Sequence, residues 1–193
     1  MIKIGILIFP QVEELDFVAP FEVLSYINKI KPASTEVLLI SETAEIVKAF
    51  NGMKIVPDHS FETCPKLDIL VIPGGKGRLD AMYNPKIKDF LLNQAETSQY
   101  MTSVCTGAFL LAEIGLLAGK KATTYHSALE ELRSYNTIKV EKAKVIQDGN
   151  IITSAGVSSG LELGFYIIKL IFGKDMAKDV ANKIEYNIDI DGL

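Results

Sequence analysis

Five short apolar runs constrain this chain more than any other feature: Ile2 to Phe9, Val37 to Ile40, Ile69 to Ile72, Met101 to Val104 and Ile151 to Thr153. They read as strands, and stretches with helical spacing separate them. Phe21 to Ile30 has apolar spacing suited to one helix face, and Pro85 to Gln99 opens with proline at a first-turn position. Ser127 with Glu130, and Ser159 with Glu162, have capping-box spacing. The second of these opens a helix to Phe172 that carries Leu161, Phe165 and Ile168 on one stripe, with Gly173 as its C-terminal stop. Strands alternating with helices call for an α/β fold with a mostly parallel sheet covered on both faces. Asn51-Gly52, between Ile46–Phe50 and Met53–Val56, predicts a small antiparallel hairpin, and Asp148-Gly149-Asn150 predicts a second one near the end of the chain.

The chain has 193 residues, enough to bury a sizeable core, and is read as one domain over 1–193. Hydrophobic residues make up 48% and charged residues 23%, a globular balance. A net charge of −4 with scattered lysines offers no basic footprint, which argues against nucleic acid as a partner. The apolar amino terminus is too short to span a bilayer and lacks a cleavage site, so a membrane role is not expected and a cytoplasmic location is. Two cysteines, Cys64 and Cys105, then predict free thiols instead of a disulfide framework.

In a sheet of this kind ligands bind beyond the carboxyl ends of the strands. That rule selects residues 10–16, 73–78, 105–107 and 155–158. Among them Cys105, in Ser103-Val104-Cys105-Thr106-Gly107, follows a strand and opens an apolar helix over Ala108 to Leu117, the setting of a nucleophile elbow. The helix N-terminus would favour a reactive thiolate there. Cys105 can also be read as one more buried small hydrophobe. Pro73-Gly74-Gly75-Lys76-Gly77 follows another strand; the N–H groups of Gly75 and Thr106 could face developing negative charge, or the loop could be a plain turn. It matches neither dinucleotide nor P-loop spacing. Asp16 lies ahead of the first helix, as an acid at the same edge or as an ordinary N-cap. Tyr125 could line a pocket or pack in the core, and His126 could join the site or stand solvated at a helix entry. His59 reads as a loop residue and Cys64 as incidental.

Leu15-Asp16, Pro73-Gly74-Gly75, Val104-Cys105-Thr106-Gly107-Ala108 and Ala122-Thr123-Thr124 together resemble the ThiJ/PfpI family of the glutamine-amidotransferase-like superfamily. Phe9-Pro10, Leu15-Asp16 and Thr153-Ser154-Ala155-Gly156-Val157 look most like its isonitrile hydratase branch. The resemblance implies a flavodoxin-like three-layer sandwich, usually a homodimer, acting on a small molecule without metal or organic cofactor. It also implies a Cys nucleophile at Cys105, an acidic partner at Asp16 and a catalytic Thr at Thr106; from their placement, Gly74, Gly75, Tyr125 and His126 are the candidate oxyanion or substrate-binding positions. Protease-like members place His after the Cys; Thr106 stands there instead, which disfavours peptidase activity. Many relatives carry His after the Thr-Thr pair, where this chain has Tyr125 followed by His126. The expected activity is hydration of an isonitrile to an N-substituted formamide. Glyoxalase or deglycase chemistry on 2-oxoaldehydes and a non-catalytic redox sensor or holdase are the alternatives. A transcription regulator is not expected, since no DNA-binding segment follows in the sequence.

Overall fold

The computed structural model describes residues 1–193. In chain order the strands are β1 (Ile2–Leu7), β2 (Thr35–Ser41), β3 (Val47–Lys48), β4 (Lys54–Ile55), β5 (His59–Ser60), β6 (Ile69–Ile72), β7 (Tyr100–Ser103), β8 (Lys121–Ala122), β9 (Lys139–Val140), β10 (Val145–Asp148) and β11 (Ile151–Ser154). The helices are α1 (Glu14–Ser25), α2 (Ile27–Ile30), α3 (Arg78–Tyr83), α4 (Pro85–Thr97), α5 (Ala108–Glu113), α6 (Leu129–Arg133), α7 (Ser159–Phe172) and α8 (Lys174–Lys183).

Seven strands form the main sheet in the order β10-β11-β7-β6-β1-β2-β5. Every neighbouring pair is parallel except β10 with β11. The all-apolar β6, Ile69-Leu70-Val71-Ile72, is buried along its whole length, as expected of a strand covered on both faces. All five predicted strands are present, and both hairpins form: β3 with β4 around Asn51-Gly52, and β10 with β11 around Gly149-Asn150. Helices cover both faces. On one side α1 packs on α7, which also contacts α8; α3 packs against α4 and α5. Nearly all of the buried apolar side chains form one continuous cluster.

Several helix boundaries differ from the sequence expectation. The first helix begins at Glu14, well before Phe21, and α5 ends at Glu113 instead of Leu117. Neither capping box forms. Ser127 lies inside a 3-10 turn, His126–Ala128, and α6 is capped at Ala128 without a side-chain bond. At α7 the cap residue is Ser158 in helical conformation (φ −64°, ψ −19°), and Ser159 Oγ has no partner. An N-cap side chain reaches the first-turn N–H groups from an extended backbone, so these residues are not placed to do so. Asn84 is: its Oδ1 accepts from the N–H of Lys86 at 2.9 Å, ahead of Pro85 in the first turn of α4.

The layer that carries α1 is spaced by small residues. A side chain added at Gly164 of α7 would meet Val23 of α1 at 2.8–2.9 Å, too close for carbon atoms without movement. Gly164→Leu should therefore lower stability by about 1–3 kcal/mol through overpacking. Urea unfolding of the two proteins checks it, and an unchanged midpoint would show that α1 and α7 separate freely.

Candidate active site

The strand β7 ends at Ser103, Val104 continues extended (φ −113°, ψ 140°), and the backbone then reverses at Cys105, where φ is 54°. A 3-10 turn, Cys105–Gly107, leads into α5. Left-handed backbone at a residue with a Cβ costs about 1–3 kcal/mol and persists only where neighbours hold it. Here they do so from both ends of the residue. The Cys105 N–H donates to Ala155 O at 3.0 Å, beyond β11, and Thr124 Oγ1 donates to Cys105 O at 2.7 Å. Gly107 lets the turn lie directly on the Ile72 carbonyl, where any Cβ would collide. Thr124 entered the sequence reading only as part of a motif; the structure gives it this bond.

Asp16 lies inside α1, in its first turn, and the N-cap is Glu13, so Asp16 is not the cap. It has no solvent exposure. Its Oδ2 accepts the Gly74 N–H at 2.9 Å, while Oδ1 has no hydrogen-bond partner in the chain. The Glu13 N–H in turn donates to Gly74 O at 3.0 Å, tying the start of α1 to the loop after β6. Burial pushes the Asp16 carboxyl up to about 7; the Gly74 N–H opposes that, Glu13 adds repulsion, and the Cys105 thiol stabilises the carboxylate.

Cys105 does not carry the depressed pKa that its position ahead of a helix suggested. It is 6% exposed, and burial together with the adjacent Asp16 pushes the thiol up to about 12. The N–H groups of Val157 and Thr106 and the Thr106 hydroxyl act in the opposite direction and are outweighed. The resting pair is a protonated thiol beside a carboxyl that titrates near neutrality. Thr106 Oγ1 also accepts the Gly75 N–H at 3.2 Å, so this N–H is engaged within the chain. Val157, at φ 40°, brings its N–H to the sulfur. Sequence reasoning placed it on the correct edge but assigned it no task, because a valine signals nothing about its backbone.

Above Cys105 lies a pocket of about 250 Å3, walled by Phe50 from the β3–β4 turn, Gly75, Lys76, Arg78, Tyr125 and Val157. Gly74 stands behind it, against Asp16 and Thr106. Tyr125 is thus at the pocket. His126 is not: it packs on Tyr125 with ring centroids 4.3 Å apart and lines a neighbouring cleft with Lys142 and Lys144. His59 is in β5, an edge strand rather than a loop, and Cys64 donates its S–H to Pro65 O.

Residues 2–170 match the model of the DJ-1/PfpI family. The chain belongs to that family. It is 35% identical over 185 residues to the isonitrile hydratase of Pseudomonas putida, an alignment that takes in 96% of this chain and 78% of the other. Protein dj-1beta of Drosophila melanogaster is 29% identical over 180 residues, 91% and 92% of the two chains. Among solved structures, a ThiJ/PfpI family protein from Pseudomonas syringae superposes with a TM-score of 0.89 at 30% identity, over 97% of this chain and 76% of that one. Drosophila DJ-1beta does so with 0.86 at 26% identity, over 97% and 99%. The flavodoxin-like sandwich expected from the sequence is the fold of these DJ-1/PfpI structures. No helix is long and apolar enough to cross a membrane.

The buried carboxyl has a consequence for stability. Between its unperturbed value of 3.8 and about 7, Asp16 holds a proton in the folded chain but not in the unfolded one. Its contribution therefore weakens as pH rises through that window, by on the order of 4 kcal/mol in all. Asp16→Asn should lack this decline, seen as a flatter unfolding free energy from pH 4 to 7 than the wild type shows. Parallel curves would place the titration elsewhere.

Proposed function

We propose that the protein hydrates a small isonitrile to an N-substituted formamide through Cys105. The observation that carries this reading is the pair beneath the pocket: a Cys105 thiol, protonated at rest, adjacent to the buried Asp16 carboxyl, which is pushed up to about 7. Isonitrile hydration requires both a nucleophile and a proton at the same carbon, and such a pair supplies them together. The 35% identity to an isonitrile hydratase over nearly the whole chain supports it independently.

In the proposed sequence Asp16, as carboxylate, takes the thiol proton while sulfur adds to the isonitrile carbon. The proton passes to that carbon, leaving a thioimidate, R–N=CH–S–Cys105. Water then adds across the C=N bond as Asp16 relays a proton to nitrogen. Collapse breaks the C–S bond, returns a proton to sulfur and releases R–NH–CHO. The N–H groups of Thr106 and Val157, which already favour charge on the sulfur, stabilise the thiolate as it forms and leaves. The Thr106 hydroxyl, which accepts the Gly75 N–H, would hold the attacking water.

Glyoxalase-type chemistry would use the same thiol, but Asp16 and Tyr125 stand where its family form has Glu and His. A thiol pushed up to about 12 is also poorly suited to a sensor that depends on a resting thiolate.

Formamide production from an alkyl isonitrile should disappear in Cys105→Ala and fall about 10²–10⁴-fold in Asp16→Asn. For the wild type, kcat/KM should rise with pH through an apparent pKa near 7, as Asp16 becomes able to accept the thiol proton. Undiminished turnover in Cys105→Ala would remove the nucleophile assignment.

A further inference from the structure

Phe50, in the turn between β3 and β4, walls the Cys105 pocket and has no part in the chemistry just described. The hairpin is a two-stranded sheet of its own, so the main sheet does not fix its place. Bonds to the segments that build the site do. The Gln11 N–H donates to Lys48 O and the Phe50 N–H to Val12 O, each at 2.9 Å. Val12 in turn bridges to Gly75, another wall residue. Glu14, in the first turn of α1, completes the attachment. Its Oε1 accepts the N–H groups of Asn51 at 2.8 Å and Met53 at 3.4 Å, and its Oε2 accepts Asn51 Nδ2 at 2.8 Å. A carboxylate that holds three donors of one tight turn makes charge-assisted bonds, and these fix the turn to the helix that carries Asp16.

The ring itself stands at the pocket. Lys76 Nζ, also of the wall, is 5.9 Å from its centroid. Phe50 is 43% exposed and lies outside the core cluster, so it keeps apolar surface that nothing in the chain covers, and covering it is favourable. Tyr125 and Val157 are the other apolar walls. The charges on the wall balance: Glu13 opposes Lys76, and Arg78 is paired with Glu131 at 2.6 Å.

We infer that Phe50 determines specificity at Cys105 by packing against an uncharged apolar substituent of the electrophile, and that Glu14 positions Phe50 through the Asn51 turn. On the hydratase reading that substituent is the R group of the isonitrile, and a ring-bearing isonitrile is preferred over methyl isonitrile. The inference rests on Cys105 as the reacting group, as in the proposed function, and not on hydration as the reaction.

Alkylation of Cys105 tests it without hydration. Iodoacetamide and N-phenyliodoacetamide are both uncharged, transfer their carbon to sulfur with loss of iodide and the thiol proton, and differ by one ring. Rates at Cys105 are followed by mass spectrometry and each is divided by the rate with free cysteine. The ratio of the N-phenyl reagent to its parent should be at least about threefold higher in the wild type than in Phe50→Ala, as expected of one aromatic contact. A smaller difference would overturn the assignment. So would a higher ratio in Phe50→Ala, which would show that the ring excludes the substituent. Glu14→Ala should also lower the ratio, and adding it to Phe50→Ala should change the ratio no further. No effect of Glu14→Ala, or an additive one, would overturn its positioning role. A ratio that depends on Phe50, without formamide production from phenyl isonitrile, would support the specificity role while removing the hydratase reading.

Discussion

The left-handed backbone at Cys105 is the constraint from which the rest of the site follows. It turns the chain at the end of a buried central strand, so that Cys105 sits where the edge of the core meets the pocket. Such a conformation is not stable by itself in a residue with a Cβ. It is held by the Ala155 carbonyl on one side of the residue and the Thr124 hydroxyl on the other, and by the close seat of Gly107 on the loop after β6. Each of these partners comes from a different part of the chain, so the reactive geometry is a property of the assembled sheet edge.

Parallel strands make that assembly possible. Because β1, β6, β7 and β11 run in the same direction, the residues following each of them emerge on one edge: Asp16 after β1, Gly74 and Gly75 after β6, Cys105 after β7 and Val157 after β11. The edge is also dry. Desolvation raises both the Asp16 carboxyl and the Cys105 thiol, so that near neutrality the thiol holds its proton while the carboxyl titrates beside it. At rest the sulfur is therefore a thiol and not a thiolate.

Much of this was legible from residue order. Continuous apolar runs separated by helical segments specify a parallel sheet, since strands buried on both faces need no alternation. Asn51-Gly52 and Gly149-Asn150 placed both hairpins because Gly52 and Gly149 accept the positive φ that tight turns demand. The strand-to-helix setting of Cys105 was likewise readable from the apolar run before it and the apolar helix after it. Spacing failed where a side chain's partner is remote in sequence. Ser127 and Ser159 have capping-box neighbours, yet the helices enter through 3-10 or helical residues set by packing, and the caps are absent.

The sequence by itself thus determined the layer order, the edge at which a ligand can bind and the residue types available there, because periodicity and turn chemistry are local. Only the tertiary structure decided how those residues behave. It put Asp16 inside its helix and out of solvent rather than at the cap, reversed the expected shift of the Cys105 thiol, and brought in the Val157 N–H. It left His126 in a separate cleft while setting Arg78 and Lys76 in the pocket wall. These outcomes depend on desolvation and on contacts between segments far apart in the chain, and neither is encoded in the spacing of neighbouring residues.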